Sequence, residues 1–225
     1  MQREKRIIHT FSIIALSLVV LVIGLVITQR ASNVNANDHQ KIHVVSSLDF
    51  YAQAARAVLG QHGTVTAVIN SPSVDAESFE PTTHTAKQVA KADVVIENGL
   101  GYDDWMQKVV AANGQEQRTV NVGAGLMKRG VGGNPHIWYD PQTMSQLVVH
   151  LEKRFARLQP HNKAVFKRNG DHYLQTLATW HQMISKLKQS SHHQQVAVSE
   201  PVFNDTFTAV GLRVNDNHFA RAVEE

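Results

Sequence analysis

Ile42-His43-Val44-Val45-Ser46, then a helical pattern from Asp49 to Leu59, then Thr64-Val65-Thr66-Ala67-Val68-Ile69: this stretch sets the fold class. Short β-branched runs on either side of an amphipathic segment read as a βαβ unit, whose two strands lie parallel. The alternation continues with helical spacing at Thr85–Lys91 and Tyr102–Ala112 and β-rich runs at Val94–Glu97 and Thr119–Val122. Such a series predicts an α/β fold, a largely parallel sheet covered by helices on both faces.

Towards the C-terminus the pattern changes. Pro141–Leu158 and His161–Lys188 read as two long helices separated at Pro160. In the second, Phe166, Tyr173, Leu177, Trp180, Ile184 and Leu187 recur at spacings of three, four or seven, which marks one apolar face and predicts core packing. A strand at Gln195–Ser199 and a helix at Val202–Val210 then resemble the opening of a second α/β unit. Gly123–Gly133 is glycine-rich but lacks the Gly-Lys-Ser/Thr of a phosphate cradle, and is expected to be a flexible loop.

Towards the N-terminus, Arg3, Lys5 and Arg6 precede an uncharged run from Phe11 to Thr28, which predicts an export signal or a signal anchor. The positive-inside rule then places everything after it outside the membrane. Val34-Asn35-Ala36 offers a small-residue cleavage site, and the polar Ala31–Gln40 stretch reads as a linker. The expected organisation is a signal segment at 1–36, a first α/β lobe at 37–158, a backbone helix at 159–190 and the start of a second lobe at 191–225.

The chain has 225 residues, 43% of them hydrophobic, enough for a real core. It has no cysteine, which excludes disulfides, thiolate zinc sites, a thiol nucleophile and the acylated cysteine of a bacterial lipoprotein. The net charge of +3 comes from scattered Lys and Arg without interleaved aromatics, so a nucleic-acid footprint is not expected. Neither a Gly-x-Ser-x-Gly elbow nor a His-Glu-x-x-His helix is present, which argues against an enzyme.

Most of the thirteen histidines stand alone in polar surroundings, and His192-His193 reads as part of a solvated loop. His136 differs, because Asn134-Pro135-His136-Ile137-Trp138-Tyr139-Asp140-Pro141 holds it between prolines and beside aromatics. A dry loop keeps imidazole neutral and suits it equally to metal ligation or to a structural role. Glu80-Pro81-Thr82 reads as a proline-led, threonine-capped helix start, with Asp75 and Glu77 upstream able to point into a cleft. Glu200, in Ser199-Glu200-Pro201, follows a predicted strand at the end where open α/β sheets hold ligands, though a helix-capping role fits it too.

Four blocks in order carry a resemblance: Val74–Thr82, Lys91–Gly101, Asn134–Pro141 and Val198–Phe203. Together they resemble the substrate-binding proteins of zinc and manganese ABC importers, which include streptococcal adhesin-type lipoproteins. The resemblance implies a two-lobed metal-binding solute-binding protein with a long linking backbone helix, here His161–Lys188, and one metal ion between the lobes. It assigns His136 as a first-lobe ligand and Glu200 as the second-lobe ligand in its manganese-type form. The other first-lobe histidine falls at Glu77; a carboxylate there would favour Mn²⁺ over Zn²⁺. His84, seven residues on, is a candidate substitute. The family's fourth ligand lies later in the second lobe, so that lobe is expected to be incomplete and the chain truncated.

The function implied is extracytoplasmic capture of Mn²⁺ or Zn²⁺ without catalysis, followed by delivery to an ABC permease driven by a cytoplasmic ATPase. The chain would be secreted or held on the outer face of the cytoplasmic membrane by its N-terminal helix. Two alternatives stand beside it. One is an anchored, adhesin-like surface protein or decayed paralogue that has lost metal binding; the other, more distant, is a membrane-tethered metallohydrolase.

Overall fold

The computed structural model describes residues 41–215; the signal or anchor read at Phe11–Thr28, its cleavage site and the final ten residues lie outside the described residues. Among the described residues no helix is long and apolar enough to cross a membrane.

The element order opens as the sequence predicts, with β1 at Ile42–Leu48, α1 at Asp49–Leu59 and β2 at Gly63–Ile69. There follow α2 at Thr83–Lys91, β3 at Val94–Glu97, α3 at Asp104–Ala112 and β4 at Thr119–Asn121. The four strands form one wholly parallel sheet in the order β2-β1-β3-β4. β3 is buried at every position and β1 at all but His43, as strands covered on both faces must be. Helix α1 buries Ala52, Ala54 and Ala55 besides Tyr51, Val58 and Leu59, and its small residues let neighbouring backbones approach closely. Thr82 caps α2 through a reciprocal pair of bonds with Thr85, which is the threonine-capped start expected after Pro81.

α4, Thr143–Leu158, lays Leu147, Val148, Leu151 and Phe155 into the core, where the Phe155 ring meets Phe166 of α5, Lys163–Ser190, at 5.7 Å. The apolar face predicted on this second helix is only partly core. Phe166 and Ile184 are buried, whereas Trp180 is 38% and Leu187 46% exposed. The two helices run antiparallel, and His181 of α5 meets the carbonyl of Pro141 at the start of α4 at 2.9 Å. α5 has 28 residues against 16 in α4, so its last turns extend past the partner that covers its beginning.

Three other expectations change. The glycine-rich segment is not simply a loop: Val122–Leu126 winds into a π-turn, with Asn121 Oδ1 accepting from Ala124 N at 2.8 Å and Gly125 N at 3.3 Å. The predicted strand Gln195–Ser199 shrinks to β5, Gln195–Val196, paired in parallel with β6, Arg213–Val214. The helix expected from Val202 divides into a 3₁₀ turn, Pro201–Phe203, and the short α6, Asn204–Ala209. Pro201, with no N–H to give, opens the 3₁₀ turn and holds the residue before it extended, with Glu200 at φ −139° and ψ 146°.

Candidate metal centre

The loop that carries His136 is fixed from below. Beyond β3 the chain turns sharply through Gly99 and Gly101, both at positive φ. Asp103 closes the turn by accepting from the backbone N–H groups of Asn98 and Gly99, each at 2.7 Å. Burial raises the carboxyl of Asp103, and these two N–H groups act against the rise. Asn98, held at its oxygen by the Tyr51 hydroxyl at 2.6 Å, donates through Nδ2 to the carbonyl of Pro135 at 2.9 Å. Ile137, fully buried, anchors the next residue, and its carbonyl accepts from Thr143 Oγ1 at 2.6 Å.

His136 is thereby set into an aromatic wall. Its ring lies 5.2 Å from Trp138 and 5.6 Å from Tyr102, edge to face in both cases. Trp138 continues to Phe50 at 4.9 Å, and Tyr139 to Phe203 at 4.4 Å. The imidazole is only 9% exposed. Burial lowers its pKa from the ordinary imidazole value, with the charge of Glu200 acting in the other direction, which favours the uncharged ring that metal ligation needs. An open cleft of about 370 Å³ adjoins the wall at the C-terminal ends of β1 and β2, lined by Phe50, Asn70, Ser71, Tyr102, Trp138 and Tyr139.

The segment that follows Glu200 is tied to the loop of His136. Asn134 Nδ2 donates to the carbonyl of Pro201 at 2.7 Å, and Thr206 Oγ1 donates to the carbonyl of Tyr139 at 2.6 Å. Arg129 bridges Asp140 at 2.7 Å and Asp205 at 3.2 Å. Glu200 itself is exposed, and its charge acts on the buried imidazole.

Glu77 is exposed on the loop before α2. Its loop is pinned by Trp105 Nε1, which donates to the carbonyl of Ala76 at 3.0 Å, and by Phe79 against the Trp105 ring at 4.7 Å. Partial burial, then the neighbouring charge of Asp75, raises the Glu77 carboxyl; burial, then the charge of Glu77, raises the hydroxyl of Tyr102, whose ring meets His136 edge to face. Asp75 itself is turned into its own loop, accepting from Ser78 Oγ at 2.6 Å and Glu77 N at 3.0 Å. His84 lies exposed in the first turn of α2. Among the described residues no three His, Asp or Glu side chains converge closely enough to hold one ion. The fold thus places Glu200 where its charge acts on His136 and Glu77 where its charge acts on Tyr102, the ring beside His136, and it gathers none of them, nor His84, into a three-donor cluster among the described residues. Asn98, Asp103, Arg129 and Tyr102 shape the site without having been candidates, and nothing in the sequence pairs Arg129 with Asp205.

The manganese-binding lipoprotein MntA of Bacillus subtilis is 26% identical over 151 residues, covering 63% of this chain and 49% of that protein. MntA of Halalkalibacterium halodurans is 22% identical over 193 residues, covering 83% and 61%. The chain thus spans only about half to three fifths of the length of these relatives. Its fold superposes on the crystal structure of Zn(II)-bound AdcA from Streptococcus pneumoniae with a TM-score of 0.66 at 18% identity, over 78% of this chain and 39% of that one. For the periplasmic zinc-binding protein TroA of Treponema pallidum the TM-score is 0.65 at 20% identity, over 78% and 66%. The model of the family described as zinc-uptake complex component A, periplasmic (ZnuA) matches residues 44–222, and the chain belongs to that family.

Proposed function

We propose that the protein captures a divalent transition-metal ion, Mn²⁺ or Zn²⁺, outside the cytoplasmic membrane and hands it to an ABC permease driven by a cytoplasmic ATPase. The observation that carries this reading is the buried His136 on a loop that is tied, through Asn134 and Tyr139, to the segment that follows Glu200. A neutral imidazole with a carboxylate is a donor pair suited to a first-row metal cargo, and the further carboxylate of Glu77 favours Mn²⁺. Glu77 and Glu200 are exposed, so capture draws them onto the histidine rather than filling a closed cage; His84 stands as an outlying fourth donor. Binding here is not catalysis.

In this reading residues 37–158 form the first lobe, 159–190 the backbone helix and 191–225 the beginning of a second lobe. The N-terminal apolar run directs export or holds the protein on the outer face of the membrane. A second reading, an adhesin-like surface protein or decayed paralogue without metal binding, is favoured by one observation: no three donors converge among the described residues.

Calorimetric titration of the metal-stripped full chain with Mn²⁺ and Zn²⁺, beside His136→Ala, separates the two. Metal capture predicts saturable one-site binding that His136→Ala weakens by on the order of 100-fold or more, at least the loss expected for a supporting residue. Absence of binding, or binding indifferent to His136→Ala, selects the surface-protein reading.

A further inference from the structure

Asn134 joins the two sides of the site with both ends of one amide. Its Oδ1 receives the backbone N–H of His136 at 3.0 Å, and the Nδ1 of the same residue lies 2.9 Å away. Its Nδ2 donates to the carbonyl of Pro201, next to Glu200, at 2.7 Å. These contacts fix the orientation of the amide without ambiguity. A backbone N–H can only donate, so the atom facing it must be the oxygen; a backbone carbonyl can only accept, so the atom facing Pro201 must be the nitrogen.

The tautomer of His136 follows. An amide oxygen cannot donate, so the hydrogen of the short contact must sit on Nδ1, and of the two ring nitrogens it is Nε2 that can offer a lone pair. Both lone pairs of Oδ1 are then used, one on the backbone and one on the ring.

We infer that Asn134 is the positioning residue of this site: it sets His136 as the Nδ1–H tautomer that presents Nε2, and it tethers the segment bearing Glu200 to that same imidazole. This rests on the metal-capture reading for its purpose, but not for its geometry. A ligand histidine held at its other nitrogen loses neither orientation nor tautomer when metal arrives, and hydrogen-bonded supports of this kind affect metal affinity by about 10–100-fold. Asparagine has both a donor and an acceptor end. Aspartate at this position would keep only the acceptor, and alanine would keep neither.

The test uses the metal-free full chain with ¹⁵N-labelled histidine, the His136 ring signals being identified by their disappearance in His136→Gln. In the wild type the ring nitrogens should show the Nδ1–H pattern. Asn134→Asp should retain that pattern, while Asn134→Ala should shift His136 towards the Nε2–H form or to an exchanging mixture. Mn²⁺ and Zn²⁺ titrations should then rank affinity as wild type above Asn134→Asp above Asn134→Ala, with about 10–100-fold between the extremes. An unchanged tautomer in Asn134→Ala, or loss of the Nδ1–H form in Asn134→Asp, overturns the assignment. So does an affinity that Asn134→Ala leaves at the wild-type value. If Asn134→Ala does not fold, the Asp variant decides alone: wild-type affinity in it overturns the tether to Pro201. If the wild type binds neither metal, the capture reading falls, and the tautomer comparison still decides what Asn134 does.

Discussion

Glu97 ends β3 with a carboxyl that is 5% exposed. Its Oε1 accepts from Asn121 Nδ2 at 2.8 Å, while its Oε2 is buried without a hydrogen bond among the described residues. Burial raises its pKa from 4.5 to about 7; the bond from Asn121 opposes the rise, and the charges of Asp103 and Asp104 add to it. An acid whose folded pKa lies above its unfolded value binds more protons when folded. Its contribution to stability is complete below pH 4.5 and is lost as pH rises through about 7. That displacement amounts to about 3 kcal/mol. Glu97→Gln keeps an oxygen for Asn121 and removes the titration, so the variant should gain on the wild type by up to about 3 kcal/mol between pH 5 and pH 8. Urea unfolding at both pH values measures it, and parallel profiles would show that the group is not displaced. At this scale the sequence was informative where a residue's neighbours in the chain are also its partners. His136 was marked by its flanking prolines and aromatics, and Asn134 stood in the same motif. Glu97 gave no sign, because its displacement comes first from burial, which the packing of the folded sheet sets and no neighbour in the chain announces.

Elements were legible in proportion to how local their causes are. α1 and β3 fall at the predicted boundaries because apolar spacing defines them and nothing distant cuts them short. The misreadings have distant causes. The stripe on α5 follows helical periodicity to its end, but periodicity reports which face is apolar and not how far the neighbouring helix extends. The π-turn at Val122–Leu126 depends on Asn121 capping two N–H groups, and on a glycine at 123, where a Cβ would lie 2.6 Å from the Leu100 side chain and 2.9 Å from the carbonyl of Asn98. A similar close approach governs β2. Gly63 pairs with Ile42 of β1, and a Cβ there would lie 2.1 Å from the Ile42 carbonyl oxygen and 2.8 Å from the Leu59 side chain. Backbone cannot yield as a surface side chain does, so Gly63→Ala must shift β2 against β1. It should cost about 1–3 kcal/mol, the range for overpacking a tight interior. The midpoint of urea unfolding should fall accordingly, and an unchanged midpoint would mean that the strand pair adjusts freely.

For the molecule as a whole, the parallel sheet with its covering helices contrasts with the way residues 200–209 are held. The sheet is supported by a continuous buried core from Ile42 to Phe166. The later segment depends on a few contacts across long chain separations: Arg129 to Asp205, Thr206 to the Tyr139 carbonyl, Asn134 to the Pro201 carbonyl, and Phe203 on Tyr139. Of these, the ion pair is the one whose loss leaves a partly buried charge behind. Burial raises the Asp205 carboxyl, the charge of Arg129 lowers it, and Oδ2 of Asp205 has no hydrogen bond among the described residues. Arg129 is 37% exposed, so solvent screens the pair and its removal should cost only about 1 kcal/mol. That is small against the global stability and large against the opening of a lightly held segment. Arg129→Ala should therefore raise amide hydrogen exchange about five-fold across Phe203–Val210, the factor that corresponds to about 1 kcal/mol, while the amides of β1 and β3 keep their protection. If exchange rises equally in the sheet, the segment opens only with the whole fold, and the chain after Glu200 is held to the His136 loop by global stability rather than by local ties.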